Sequence, residues 1–186
     1  MAAAEPTVLL LTGPTAAGKS TIAELLVRRY GFSVIHGDRI WRRLFGREPG
    51  AYTLAFKRDR LHQAIIRKIK RLLKAKNKVV IDYLPSPALI ALLKKLFGPA
   101  FRVVVLRPEM EIAFHRVHMR PGPALVGRAR LAQRRAMTKQ YELLKALQPK
   151  IGLRNYIDNS GLSPSQTLKT VKQRLSLGNP SPSGLR

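Results

Sequence analysis

Five short apolar runs punctuate the chain: "TVLLLT", "FSVIHG", "KVVIDY", "FRVVVL" and "RNYIDN", each flanked by polar residues, glycine or proline. Continuous apolar runs of this length suit strands buried on both faces. The longer segments between them carry apolar residues at helical spacing. This predicts helices over about 19–30, 38–45, 53–76, 86–97, 109–119, 125–147 and 163–176. Strands alternating with helices build an α/β fold, here a parallel five-stranded sheet with a helical layer on either side. One domain is expected over residues 1–178. The segment "MRPGPALVGR", with two prolines and two glycines among arginines, suits a small lid over about 119–135. The small, polar, Pro-rich end "SLGNPSPSGLR" predicts a flexible tail over 179–186.

The first apolar run leads straight into "GPTAAGKST", residues 13 to 21. The spacing G-x-x-x-x-G-K-[ST] suits a loop whose backbone N–H groups wrap a polyphosphate. Gly13, Pro14, Thr15, Ala16, Ala17, Gly18, Lys19, Ser20 and Thr21 would form that cradle. Lys19 would reach the outer phosphates and Ser20 would ligate Mg²⁺, with Thr21 supporting the loop from the first helical turn. The context agrees, because a strand ends at Thr12 and an amphipathic helix starts inside the loop, aiming its free N–H groups at the phosphates. The ligand expected is a nucleoside triphosphate, ATP, with Mg²⁺.

Composition narrows the setting. The 186 residues, 45% hydrophobic, suffice for one sizeable core, and the absence of cysteine excludes disulfide frameworks and thiolate metal sites. The first residues lack a basic leader and their apolar run is too short to span a bilayer, so a cytoplasmic protein without membrane partners is expected. A formal charge of +25, from 35 Lys+Arg against 10 Asp+Glu, attracts polyanions. Fourteen basic residues and two acids, Glu48 and Asp59, occupy the stretch from Arg39 to Lys78. In "RKIKRLLKAKNK" the basic residues alternate with Ile69, Leu72 and Leu73 at helical spacing. They form either a solvated helix face or a groove for an anionic partner, nucleic acid included.

Two of the ten acids, Asp38 and Asp82, fall where apolar runs two and three end. Ligands of open parallel sheets bind beyond the carboxyl ends of the strands, so both carboxylates should face the nucleotide. Asp82 would hold Mg²⁺ through water; the alternative is a turn or helix N-cap residue before "YLPSP". Asp38 would orient an acceptor hydroxyl and take its proton; the alternative is an N-cap for "RIWRRLF". Arg116 and Arg120, four apart at a helix end beside the Pro/Gly segment, are candidates to neutralise charge in a phosphoryl-transfer transition state. His115 and His118 lack further ligands at metal spacing, and Trp41 and Phe45 read as packing residues on the acceptor side.

"LTGPTAAGKSTIAELL" followed by "VIHGDRIWR" resembles the start of the dephospho-CoA kinases, small P-loop nucleoside- and nucleotide-kinase-like enzymes. "LHQAIIRKIKRLLKAKNKVVIDYLP" is similar to the helix and Asp-ending strand of that family, and "YIDNSGLSPSQTLKTVKQRL" resembles its closing strand and helix. His36 stands where the family has an acid, His62 lacks the proline that follows it there, and residues 46–62 are shorter than the usual acceptor insert. The resemblance implies ATP-dependent phosphorylation of a hydroxyl on a small anionic acceptor, with Asp38 as base and Arg42 gripping the acceptor phosphate. Lys19, Arg116 and Arg120 would act on the moving phosphoryl group, and adenine would lie near Asn159 and Gly161. Two other readings use the same residues: a kinase of polynucleotide 5′-hydroxyls, and a nucleotide-gated RNA-binding switch.

Overall fold

A computed structural model describes residues 7–46, 55–75, 78–119 and 126–178. The central strand β1 (Val8–Thr12) is buried at every position. It pairs in parallel with β3 (Lys78–Asp82) on one side and β4 (Phe101–Leu106) on the other. β2 (Phe32–His36) lies outside β3 and the two-residue β5 (Tyr156–Ile157) outside β4, giving the order β2-β3-β1-β4-β5. All pairings are parallel, so each connection crosses back over a face of the sheet through helix.

The helices are α1 (Lys19–Tyr30), α2 (Gly37–Phe45), α3 (Ala55–Lys74), α4 (Pro87–Phe97), α5 (Met110–His118), α6 (Gly127–Ile151) and α7 (Pro164–Leu175). Alternate residues of β1 feed two cores. Leu9 and Leu11 pack with Ile22 and Leu26 of α1 and Leu168 and Val171 of α7. Val8 and Leu10 belong to the opposite core, with Leu61, Ile65 and Ile69 of α3, Leu89 and Leu93 of α4, and Leu144 and Leu147 of α6. These are the three layers expected from the alternating pattern. Among the described residues, no helix is long and apolar enough to cross a membrane.

Local chemistry sets the helix ends. Ser86 caps α4 by accepting the Leu89 N–H at 3.3 Å, with Pro87 opening the helix. Ser163 and Gln166 form a reciprocal capping box at the start of α7. α6 differs from expectation, continuing through Pro149 to Ile151 instead of stopping near 147. Proline removes one backbone donor, but Leu147 and Ile151 are buried against the sheet, and that burial outweighs the missing bond. β5 is shorter than "RNYIDN" suggests, because it meets only Val105 and Leu106 at the end of β4. Residues 53, 54 and 76 of the expected basic helix lie outside the described residues, as do 120–125 of the expected lid and the tail 179–186. Of that lid, residues 127–135 form the first turns of α6.

The strand order fixes where a ligand can sit. From β1 the chain goes out to β2 and returns to β3 on one side, then builds β4 and β5 on the other. The order therefore reverses around β1, and a crevice opens beyond its carboxyl end. In register, Leu11 of β1 and His36 of β2 both stand opposite Asp82 of β3, bringing three strand ends to one level.

Where β2 turns into α2, a Cβ added to Gly37 would lie 2.4 to 2.8 Å from Tyr83 side-chain atoms. Gly37→Ala is expected to destabilise the fold by about 1–3 kcal/mol through overpacking, measured by urea denaturation.

Candidate active site

The loop after β1 bends at two glycines. Gly13 has φ +149°, and a Cβ there would sit 2.1 Å from the Leu106 carbonyl oxygen, a clash no side chain could relieve. Gly18, at φ +87°, is the N-cap of α1 in the left-handed region. Lys19 folds back over the loop and its Nζ donates to the Pro14 carbonyl at 2.8 Å. Two distant residues brace the loop from outside. The Asn159 side-chain amide donates to the Ala17 carbonyl at 3.0 Å, and Gln140 Oε1 on α6 accepts the Thr15 N–H at 2.7 Å. Neither brace carries a local signal in the sequence.

Beside the loop, Ser20 Oγ donates to Asp82 Oδ2 at 2.7 Å, and His36 Nδ1 lies 3.1 Å from the same oxygen. Asp82 is buried at the end of β3, and the N-cap of α4 is Ser86, so Asp82 does not cap that helix. The N-cap of α2 is likewise His36, with Asp38 inside its first turn. The Ser20 hydroxyl and Asp82 carboxylate form a hard-oxygen pair of the kind that holds Mg²⁺ together with phosphate oxygens and water. His118 Nδ1 is 2.8 Å from the Phe114 carbonyl oxygen, and no group of three or more His, Cys, Asp or Glu that could hold a metal ion occurs among the described residues.

Lys19 and Asp38 line one cleft of about 480 Å³ together with Trp41, Arg58, Tyr83 and Leu143. Asp38 opens to solvent at the mouth, yet its carboxyl pKa lies above the ordinary 3.8. The cleft walls strip water from the carboxylate and dominate; the Lys19 ammonium opposes them, while the Asp82 charge adds to the rise. Trp41 is buried with its ring 4.6 Å from that of Phe45, which bears out its packing role.

The arginines are distributed differently from the expectation. Arg42 does not line this cleft; it lines a smaller pocket of about 200 Å³ with Ser20, His36, Asp38 and Asp82, and the arginine in the larger cleft is Arg58. Arg116 Nη2 donates to the carbonyls of Asn159 and Ser160, both at 2.9 Å. Arg116 thereby lines a third pocket, of about 270 Å³, with Gly18, Thr21, Asn159, Leu162 and Pro164. The adenine was expected beside Asn159, and that buried side chain has an unpartnered Oδ1. Arg120 lies outside the described residues. On α6, Arg134 pairs with Glu111, while Arg130 and Arg134 lie 5.6 and 5.3 Å from the Phe114 ring centre, so both engage α5.

Residues 8–144 match the AAA domain family. A sugar kinase from Janibacter sp. HTCC2649 superposes with a TM-score of 0.70 at 17% identity, covering 97% of this chain and 99% of that one. Shikimate kinase from Bacteroides thetaiotaomicron gives 0.67 at 15% identity, covering 91% and 98%. A gluconokinase from Sinorhizobium meliloti 1021 gives 0.67 at 16%, covering 92% of each chain. At these identities the likeness establishes a shared fold. No curated protein matches the chain in sequence.

The Asn159 brace gives a direct test of how the loop is held. Asn159→Ala leaves the Ala17 carbonyl without its donor, and a stability loss of about 1–3 kcal/mol is expected in thermal or urea denaturation.

Proposed function

The chain belongs to the AAA domain family, and on that premise we propose that it is a P-loop phosphotransferase moving the γ-phosphoryl group of Mg·ATP to a hydroxyl of a small anionic acceptor. The observation that carries this reading is the cleft shared by Lys19 and Asp38, with the Ser20–Asp82 pair beside it. A phosphate cradle alone serves any nucleotide-binding protein. A carboxylate in the first turn of α2, lining the same cleft as Lys19, adds a proton acceptor where an attacking hydroxyl would stand.

Bound Mg·ATP would supply the transferable phosphoryl group, with the metal neutralising its oxygens. The residues present fit that ligand: the two glycines clear the loop, its N–H groups meet the N-terminus of α1, and Ser20 and Asp82 offer oxygen ligands. Lys19 would exchange the Pro14 carbonyl for phosphate oxygens. Asp38 would accept the hydroxyl proton as the acceptor oxygen bonds to phosphorus and the β–γ bridging bond breaks, leaving ADP. The pocket beside Asn159 and Arg116 would take the base.

The acceptor side has apolar and aromatic walls in Trp41, Tyr83, Leu84 and Leu143, with Arg58 as its cation. This combination suits a molecule with a flat or apolar body, a hydroxyl and an anionic group. Dephospho-CoA, implied by the sequence resemblance, meets that description, as do nucleosides carrying a phosphate.

Transfer of labelled γ-phosphate from Mg·ATP to dephospho-CoA, nucleosides, nucleoside monophosphates and sugars tests the proposal. One acceptor should become labelled, and Asp38→Asn should lower kcat by about 10²–10⁴-fold. Hydrolysis without transfer to any acceptor would overturn it. Because Asp38 must be ionised to accept a proton and its pKa is raised, activity should fall as pH drops through a value above 3.8. That acid limb should vanish in the residual activity of Asp38→Asn.

A further inference from the structure

The outer face of α3 differs from an ordinary solvated helix face. Its buried side is formed by Leu61, Ile65 and Ile69. On the opposite side, Phe56, Arg60, Gln63, Arg67, Lys70 and Lys74 follow one another at three- and four-residue intervals, with Arg71 beside Lys70, and all are exposed. From Arg60 to Lys74 this row runs about 21 Å along the helix axis. It contains no acid; Asp59, on its flank, is the only carboxylate of the helix. Arg67 with Lys70, Arg67 with Arg71, Lys70 with Lys74, and Arg71 with Lys74 are like-charge neighbours one turn apart, and each such pair destabilises the isolated helix. The C-terminal dipole compensates Arg71 and Lys74 in the last turn but not Arg67 and Lys70. A face selected only for solubility would interleave glutamates here.

The second observation is an aromatic ring in line with the charges. Phe56 is 58% exposed and sits at the head of the row, one turn before Arg60. The Arg60 guanidinium is 5.9 Å from the Phe45 ring centre, which steadies it against α2. Arg58, between Phe56 and Arg60 in sequence but on the other side of the helix, lines the acceptor cleft, and none of the row residues does. A row of cations with an exposed ring at one end matches a single-stranded polyanion whose bases can stack, the pairing found in single-strand nucleic-acid grooves. An anionic membrane would use the charges but would call for a broader apolar face than one ring.

We infer that the outer face of α3 binds single-stranded nucleic acid, with Arg60, Arg67, Lys70, Arg71 and Lys74 meeting successive phosphates and Phe56 stacking on a base. The surface lies outside the nucleotide cleft, and its test needs no phosphoryl transfer.

The test is fluorescence anisotropy of labelled 12-nucleotide single-stranded RNA and DNA with the full chain. Each phosphate contact contributes a slope of about −0.7 in log affinity against log salt, so five give about −3.5, a loss of about a hundredfold between 50 and 200 mM NaCl. A variant combining Arg67→Gln, Lys70→Gln, Arg71→Gln and Lys74→Gln should reduce the slope to about −0.7. A matched variant on the opposite layer, with Arg28→Gln, Arg29→Gln, Lys169→Gln and Arg174→Gln, should leave the slope near the wild-type value. Phe56→Ala should weaken binding about tenfold with the slope unchanged, because stacking releases no counterions. Far-UV circular dichroism checks that each variant is folded. Comparing the RNA and DNA arms shows whether the 2′-hydroxyl adds to the phosphodiester contacts. Equal losses in the two quadruple variants would overturn the inference, and so would unchanged binding in the α3 variant. α3-dependent binding to phosphatidylserine vesicles without oligonucleotide binding would also overturn it.

Discussion

The turn out of β1 is the constraint on which the site depends. At Gly13 the backbone passes so close to the Leu106 carbonyl that a Cβ would lie 2.1 Å from it. The chain can leave the central strand there only without a side chain. That close approach sets the loop between β1 and β4 at the point where the strand order reverses, and directs α1 so that its N-terminus opens the crevice.

The rest of the site is supported by residues far away in sequence. Asn159, just beyond β5, holds the Ala17 carbonyl, and Gln140, in the middle of α6, holds the Thr15 N–H. The parallel register brings Asp82 level with Leu11 and His36, so the Ser20–Asp82 hydrogen bond joins the base of α1 to the end of β3. The loop after β1, the Asp82 carboxylate and the pocket beside Asn159 are therefore tied together, through the Ala17 carbonyl and Thr15 N–H at the loop and through the Ser20 hydroxyl at Asp82. Arg116 belongs to that scaffold, since its guanidinium is fixed on the carbonyls of Asn159 and Ser160.

What the sequence made legible follows from how local each cause is. The apolar runs, Ser86, Pro87 and Ser163 act on their immediate neighbours, and the elements they delimit lie within a few residues of expectation. The glycine-bent loop after β1 and the placing of Asp82 at the end of β3 and Asp38 just beyond β2 were legible because motif and strand end are themselves local features. Gln140, Arg58 and the Asn159 brace were not, because they reach the site only through the packing of α6, α3 and the segment after β5. The placement of Arg42 depends on rotation about α2, where Trp41 turns into the core and Arg42 turns toward Ser20 and Asp82. α6 runs past its expected end near 147 because burial of Ile151 carries the helix through Pro149.

The central claim, that the strand ends converge on one triphosphate and metal site, is tested most directly by a crystal structure with Mg²⁺ and a non-hydrolysable ATP analogue. The triphosphate should lie in the loop, with Lys19 moved from the Pro14 carbonyl to phosphate oxygens. The metal should sit beside Ser20 and Asp82, and the base against Asn159. A nucleotide bound elsewhere, or a metal away from Ser20 and Asp82, would contradict the account.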